Sequence, residues 1–148
     1  MSEVARPRPL VLLSSVSSDS HTWNLVFLQL LLEETGHDVV NLGACVPDEL
    51  LLSECLAHRP DAVVISTVNG HGHVDGGRLI ARLRADERLT GLPVVIGGKL
   101  GVGGGRDTGL AAELVAAGFD AVFTESADVR GFVGYIDSVL PVPALEPS

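Results

Sequence analysis

An aspartate and a histidine two residues apart, Asp19 and His21, stand in a serine-rich stretch, SSDSHTWN (residues 17–24), that follows the first apolar run of the chain. A carboxylate bonded to one imidazole nitrogen fixes the tautomer and makes the other nitrogen a better donor to a metal. The same pairing can orient a general base. A plainer reading has the aspartate capping the next helix and the histidine facing solvent. Two more stretches carry reactive side chains among small residues. STVNGHGHVDGG (66–77) holds His71, His73 and Asp75, ligand types that suit zinc, although the glycine between the histidines leaves them poorly fixed. GGKLGVGGG (97–105) holds Lys99, the only lysine of the chain, a cation for a phosphate, an amide or a partner's acid, or simply a surface residue.

These stretches must be carried on regular elements. PLVLLSSV (9–16) reads as a strand, apolar almost throughout and therefore covered on both faces. HDVVNLG (37–43), DAVVIST (61–67), LPVVIGG (92–98) and FDAVFTE (119–125) read as four more. TWNLVFLQLLLEET (22–35) reads as a helix stopped at Gly36; its apolar run resembles an interaction helix, but core packing is the simpler account. PDELLLSECLAHR (47–59) is a helix with Pro47 near its first turn and acids at its start. GGRLIARLRADER (76–88), TGLAAELVAAG (108–118) and ADVRGFVGYIDSVL (127–140) follow as helices, the last weakened by Gly131 and Gly134.

Strict alternation of strand and helix predicts an α/β fold: a doubly wound five-stranded parallel sheet of flavodoxin-like order 2-1-3-4-5 with helices on both faces. In that order ligands bind outside the C-terminal strand ends, beside the switch between the first and third strands. The three small-residue stretches follow the first, third and fourth strands, which border that switch. The glycines from Gly97 to Gly105 leave space for something bulky. Residues 1–140 form one domain on this reading, and PVPALEPS (141–148) is a loose tail.

Bulk properties narrow the function. A net charge of −9 argues against nucleic acid and against an anionic membrane surface. No apolar stretch is long enough to span a bilayer. MSEVARPRPL has no long apolar core of a signal peptide, so a cytoplasmic location is expected. Cys45 and Cys55 form no CxxC pair and read as small buried hydrophobes. Ser14–Ser15 and Ser17–Ser18 could cradle a phosphate as in flavodoxins, but only Trp23 is available to stack on a flavin. A receiver domain needs a phosphoacceptor aspartate at the end of the third strand, and that strand ends in Ser66–Thr67.

The run Asp19-Ser20-His21-Thr22-Trp23-Asn24 resembles the D-x-H-x-x-G signature of cobalamin-binding domains of the base-off, histidine-on type. Ser66-Thr67-Val68 resembles the S-x-L element of that family, and Gly97–Gly98 its G-G element. GHDVVNLG and NGHGHVDGGRL are similar to stretches of the small subunits of glutamate mutase, also called methylaspartate mutase. The resemblance runs from about Pro9 to Leu140 and departs at Asn24, where the family has glycine. An asparagine there either narrows a cleft or offers a hydrogen bond or helix cap.

The resemblance implies adenosylcobalamin as cofactor, with His21 as axial ligand to cobalt and Asp19 holding its far nitrogen. The displaced nucleotide tail would thread between the sheet and the first helix. Ser66 would meet its base, and Gly97 and Gly98 would leave it room. Ser18, Ser20, Thr22, Thr67, Val68, Lys99, Leu100 and Gly101 complete the expected cofactor-binding set. His71 and His73 would then line the corrin edge or stay solvated. The implied activity is a carbon-skeleton mutase, interconverting L-glutamate and threo-3-methylaspartate by radical chemistry. A large barrel-type catalytic subunit would hold the small amino-acid substrate, with Arg106 the nearest candidate on this chain for a substrate carboxylate. The small subunit would be inactive alone. The rivals are a corrinoid carrier or sensor without mutase activity, and a degenerate homologue that binds no cobalamin.

Overall fold

The computed structural model describes residues 9–16, 23–67, 72–98, 107–124 and 129–139. Five strands, β1 (Leu10–Ser15), β2 (Asp38–Asn41), β3 (Ala62–Thr67), β4 (Val94–Gly98) and β5 (Ala121–Thr124), form one sheet of order β2-β1-β3-β4-β5. All four pairings are parallel. The helices are α1 (Trp23–Glu34), α2 (Asp48–His58), α3 (Gly72–Arg84), α4 (Asp107–Ala117) and α5 (Val129–Val139). The doubly wound order expected from the alternation is therefore the observed one.

Each face of the sheet has its own core. Val11, Leu13, Val64 and Val95 pack with Leu25 and Leu32 of α1 and Phe132 and Ile136 of α5. Leu12, Val63, Ile65, Val94 and Ile96 pack with Leu51 and Cys55 of α2, Leu79, Ile80 and Leu83 of α3 and Leu114 of α4. Successive strand residues thus point to opposite faces, as the pleat requires. β3, in the middle, is buried along its whole length.

Three expectations need correction. The helix expected from Gly76 starts at Gly72 and ends at Arg84, and Glu87–Leu89 is a separate 3-10 turn. Gly76 lies inside α3 because a Cβ there would stand 2.7 Å from the Ile96 side chain, so glycine lets the helix lie close to β4. Core packing accounts for Leu25 and Leu32 of α1, yet Val26, Phe27 and Leu30 are exposed. These three lie on the side of the helix turned away from the sheet, so this helix is apolar on more than its core stripe. Cys55 is buried as expected, but Cys45 is exposed in the connection after β2.

The N-terminal edge of the sheet is tied by side chains. Asp61 accepts from the Leu10 N–H at 2.8 Å, and Asp120 from the Val94 N–H at 2.8 Å. Arg84 donates to the carbonyls of Gly118 (3.0 Å), Leu89 (2.8 Å) and Leu92 (2.8 Å) and to the Asp120 carboxylate (2.8 Å). Backbone groups that regular structure leaves unpaired are satisfied in this way.

Candidate functional site

The C-terminal edge is built differently. Strand register sets Ser15 of β1 beside Ser66 of β3, Ser66 beside Gly97 of β4, and Gly97 beside Phe123 of β5. Two residues earlier, Leu13, Val64 and Val95 belong to the core beneath α1 and α5. By the alternation of the pleat, Ser15, Ser66 and Gly97 face the same way. The floor beneath these two helices thus changes, one step along three neighbouring strands, from large apolar side chains to two hydroxyls and a bare Cα.

The borders of this row are defined. On the β2 side the Ser15 hydroxyl donates to the Gly43 carbonyl at 3.2 Å. The Gly43 N–H donates to Asn41 Oδ1 at 2.8 Å, and Asn41 Nδ2 donates to Gln29 Oε1 of α1 at 3.1 Å. On the β5 side a Cβ on Gly97 would lie 3.2 Å from the Phe123 carbonyl oxygen. Phe123 meets Phe132 and Tyr135 of α5 edge to face, with ring centroids 5.5 and 5.8 Å apart. The result is a floor of small residues with a polar end at β1 and an aromatic wall at β5.

Thr67 and Gly98, the next pair in register, face the other core. Gly98 has φ +118°, and a Cβ there would overlap the Thr67 carbonyl oxygen at 1.9 Å. No other residue type fits. Thr67 is fully buried, and its hydroxyl has no hydrogen-bond partner among the described residues. An orphaned buried hydroxyl is uncommon and calls for an explanation.

Of the residues singled out from sequence, Ser66, Thr67, Gly97 and Gly98 are thus adjacent on neighbouring strand ends. Ser18, Asp19, Ser20, His21, Thr22, Val68, Lys99, Leu100 and Gly101 lie outside the described residues, as do His71 and Arg106. Asp75 is in the first turn of α3, nearly buried, and accepts from Arg78 at 3.0 Å; Arg78 also donates to Asp48 of α2 at 2.7 Å. The Arg78 guanidinium thus links α3 to α2, and the Asp75 carboxylate holds it within α3. Among the described residues no group of three His, Cys, Asp or Glu side chains is arranged to hold a metal.

The phosphate-cradle reading of Ser14–Ser15 is corrected: both are buried strand residues, and the Ser14 hydroxyl donates to the Ser15 carbonyl at 3.1 Å. Sequence reasoning did not foresee Ser15 as part of the floor or Phe123 as its wall. The period-two pattern shows which residues of a strand share a face, but not what stands beside them.

The geometry can now be set against known proteins. Residues 9–131 match the B12 binding domain family. The chain belongs to that family. It is 31% identical over 128 residues to the glutamate mutase sigma subunit of Treponema denticola, covering 86% of this chain and 90% of the relative. It is 29% identical over 140 residues to the glutamate mutase sigma subunit of Halobacterium salinarum, covering 95% of this chain and 93% of the relative. The fold is shared with a novel cobalamin-binding protein from Desulfitobacterium hafniense, with a TM-score of 0.74 at 22% identity. That alignment covers 90% of this chain and 60% of the longer one.

The row fits the family's ligand. A flat heterocycle needs a floor without side-chain bulk and a few hydroxyls for its nitrogen. Ser66 and Gly97 offer this on one face. Gly98 and the unpartnered Thr67 hydroxyl offer a close approach at the strand ends on the other.

Proposed function

We propose that this chain is the cobalamin-binding small subunit of an adenosylcobalamin-dependent carbon-skeleton mutase acting on a small amino acid, L-glutamate being the substrate class. The observation that carries the reading is the register of Ser66–Thr67 against Gly97–Gly98 at the switch-point edge of the sheet. Membership of the B12 binding domain family and likeness to glutamate mutase sigma subunits over nearly the whole chain support it.

Each residue then has a task. His21 would ligate the cobalt, and Asp19 would hold the far nitrogen of that imidazole in the tautomer that leaves the ligating nitrogen free. Ser66 donates to the base of the nucleotide tail, and Gly97 leaves the tail room on the floor between α1 and α5. Ser18, Ser20, Thr22, Val68, Lys99, Leu100 and Gly101 would contribute further contacts to the cofactor. Bound adenosylcobalamin supplies a carbon-centred radical, chemistry that belongs to the cofactor, while the protein places it and excludes water. The substrate would be held by a large barrel-type catalytic subunit, and the small chain alone would turn nothing over. No described helix is long and apolar enough to cross a membrane, and we place the complex in the cytoplasm.

The test is a titration of the purified chain with cobalamin, followed in the visible spectrum beside His21→Ala. The expected result is a base-off, histidine-bound spectrum that the variant loses. A native chain that leaves the cobalamin spectrum unchanged overturns the proposal. Binding without mutase turnover when a large subunit is added indicates a corrinoid carrier instead.

A further inference from the structure

We propose that the Thr67 hydroxyl is a hydrogen-bond donor held for the corrin ring, for the amide carbonyl of one of its side arms, and not for the nucleotide tail. This rests on the cofactor reading above. It assigns Thr67 and Ser66, neighbours in one motif, to different parts of the ligand.

Three observations carry it. The first is orientation. Ser66 faces the floor beneath α1 and α5, whereas Thr67 follows Ile65 to the opposite face. A tail lying on the floor that Ser66 shares with Gly97 is separated from the Thr67 hydroxyl by the sheet itself. The second is isolation. The hydroxyl is fully buried and has no hydrogen-bond partner among the described residues. Among the described residues its same-face neighbours offer no side-chain acceptor: Ile65 and Val16 are apolar and belong to that core, and Gly98, its partner on β4, has no side chain. Thr67 is the last residue of β3, and a doubly wound sheet meets its ligand past the strand ends.

The third is the alternative the sequence did not take. β3 runs Ala62, Val63, Val64, Ile65 before Ser66 and Thr67. Valine has nearly the shape of threonine, suits a strand equally well and would leave no hydroxyl stranded. A hydroxyl that weakens the free protein is explained if the bound state satisfies it. The corrin periphery carries acetamide and propionamide arms, whose carbonyls are suitable acceptors, and a ring whose tail lay on the floor would meet the sheet at these strand ends.

The experiment compares Thr67→Val, Thr67→Ser and Ser66→Ala with the native chain. Each is titrated with cobalamin and with cobinamide, which has the corrin and its amides but no nucleotide tail. Thr67→Val is expected to weaken both ligands by the same factor, roughly tenfold for one lost hydrogen bond. Thr67→Ser keeps the donor and stays close to native. Ser66→Ala weakens cobalamin and leaves cobinamide unchanged. In the free protein Thr67→Val raises the melting temperature. The assignment is overturned if Thr67→Val weakens cobalamin alone, which would give the hydroxyl to the tail, or if it changes neither ligand. A native chain that binds neither ligand removes the cofactor reading and this inference together, and differs from the other outcomes in that no variant is needed to see it.

Discussion

At its N-terminal edge the sheet is closed by charged side chains bonded to backbone: Asp61 on Leu10, Asp120 on Val94, and Arg84 on four carbonyls and a carboxylate. At its C-terminal edge the same strands end in Ser15, Ser66–Thr67 and Gly97–Gly98, with a buried hydroxyl that has no partner among the described residues. The first edge contributes stability. The second gives some up and, on the function proposed above, keeps space and hydrogen-bonding capacity for the cofactor. Parallel α/β sheets place ligands at this end because the helices that follow the strands start there, and the comparison shows how one sequence builds both ends.

The largest expected effect breaks the open edge itself. Gly98→Ala would drive a methyl group into the Thr67 carbonyl at a backbone conformation alanine resists. It should cost about 3 kcal/mol or more in urea unfolding. A loss under about 1 kcal/mol would mean the β3–β4 end yields freely. Next, Arg84→Ala removes the guanidinium that ties the closed edge, and about 2 kcal/mol should be lost. Cobalamin titration of the folded variant should stay native; a parallel loss of binding would show that the two edges are not independent.

A chemical probe separates the two cysteines. Burial pushes the Cys55 thiol up to about 12, with Glu54 adding to the shift, so it stays protonated and shielded. Iodoacetamide at pH 8 should therefore place one adduct, on the exposed Cys45, and a second only in denaturant, as intact mass will report. Rapid double labelling of the native chain would mean that α2 opens readily from the sheet.

The smallest effect is a pH dependence at the closed edge. The Arg88 guanidinium, with the Arg88 backbone N–H, holds Asp86 at about 2, below its ordinary 3.8. A carboxylate lowered in the folded state stabilises it above the unfolded value, and the contribution fades as pH falls through about 2. The difference in melting temperature between native chain and Asp86→Asn should thus be small at neutral pH and vanish near pH 2. A difference that grew on acidification would reverse the sign and sink the assignment.

Much of this architecture was legible beforehand because its signals are local. Continuous apolar runs such as LVLL and AVVI mark strands covered on both sides, and the alternation with helices leaves few topologies. Helix limits were less legible. The segment GGRLIARLRADER puts the start of this helix at Gly76, whereas α3 begins at Gly72 and Gly76 lies against Ile96 in the helix interior. Phe27 and Leu30 in the apolar run of α1 belong as fully to a core as Leu25 and Leu32 by residue type, and only packing on the sheet separated them.

For the candidate site, the sequence by itself determined the residue types, the parity that turns Ser66 and Thr67 to opposite faces, and the alternation that brings three small-residue stretches to one edge. The tertiary structure alone decided which strand ends stand side by side. Ser15 next to Ser66, Ser66 next to Gly97, and a glycine that accommodates the Thr67 carbonyl are matters of register between segments far apart in the chain. The pleat has a period of two along one strand, but the hydrogen bonds that set one strand against the next are long-range and form only when both faces are packed.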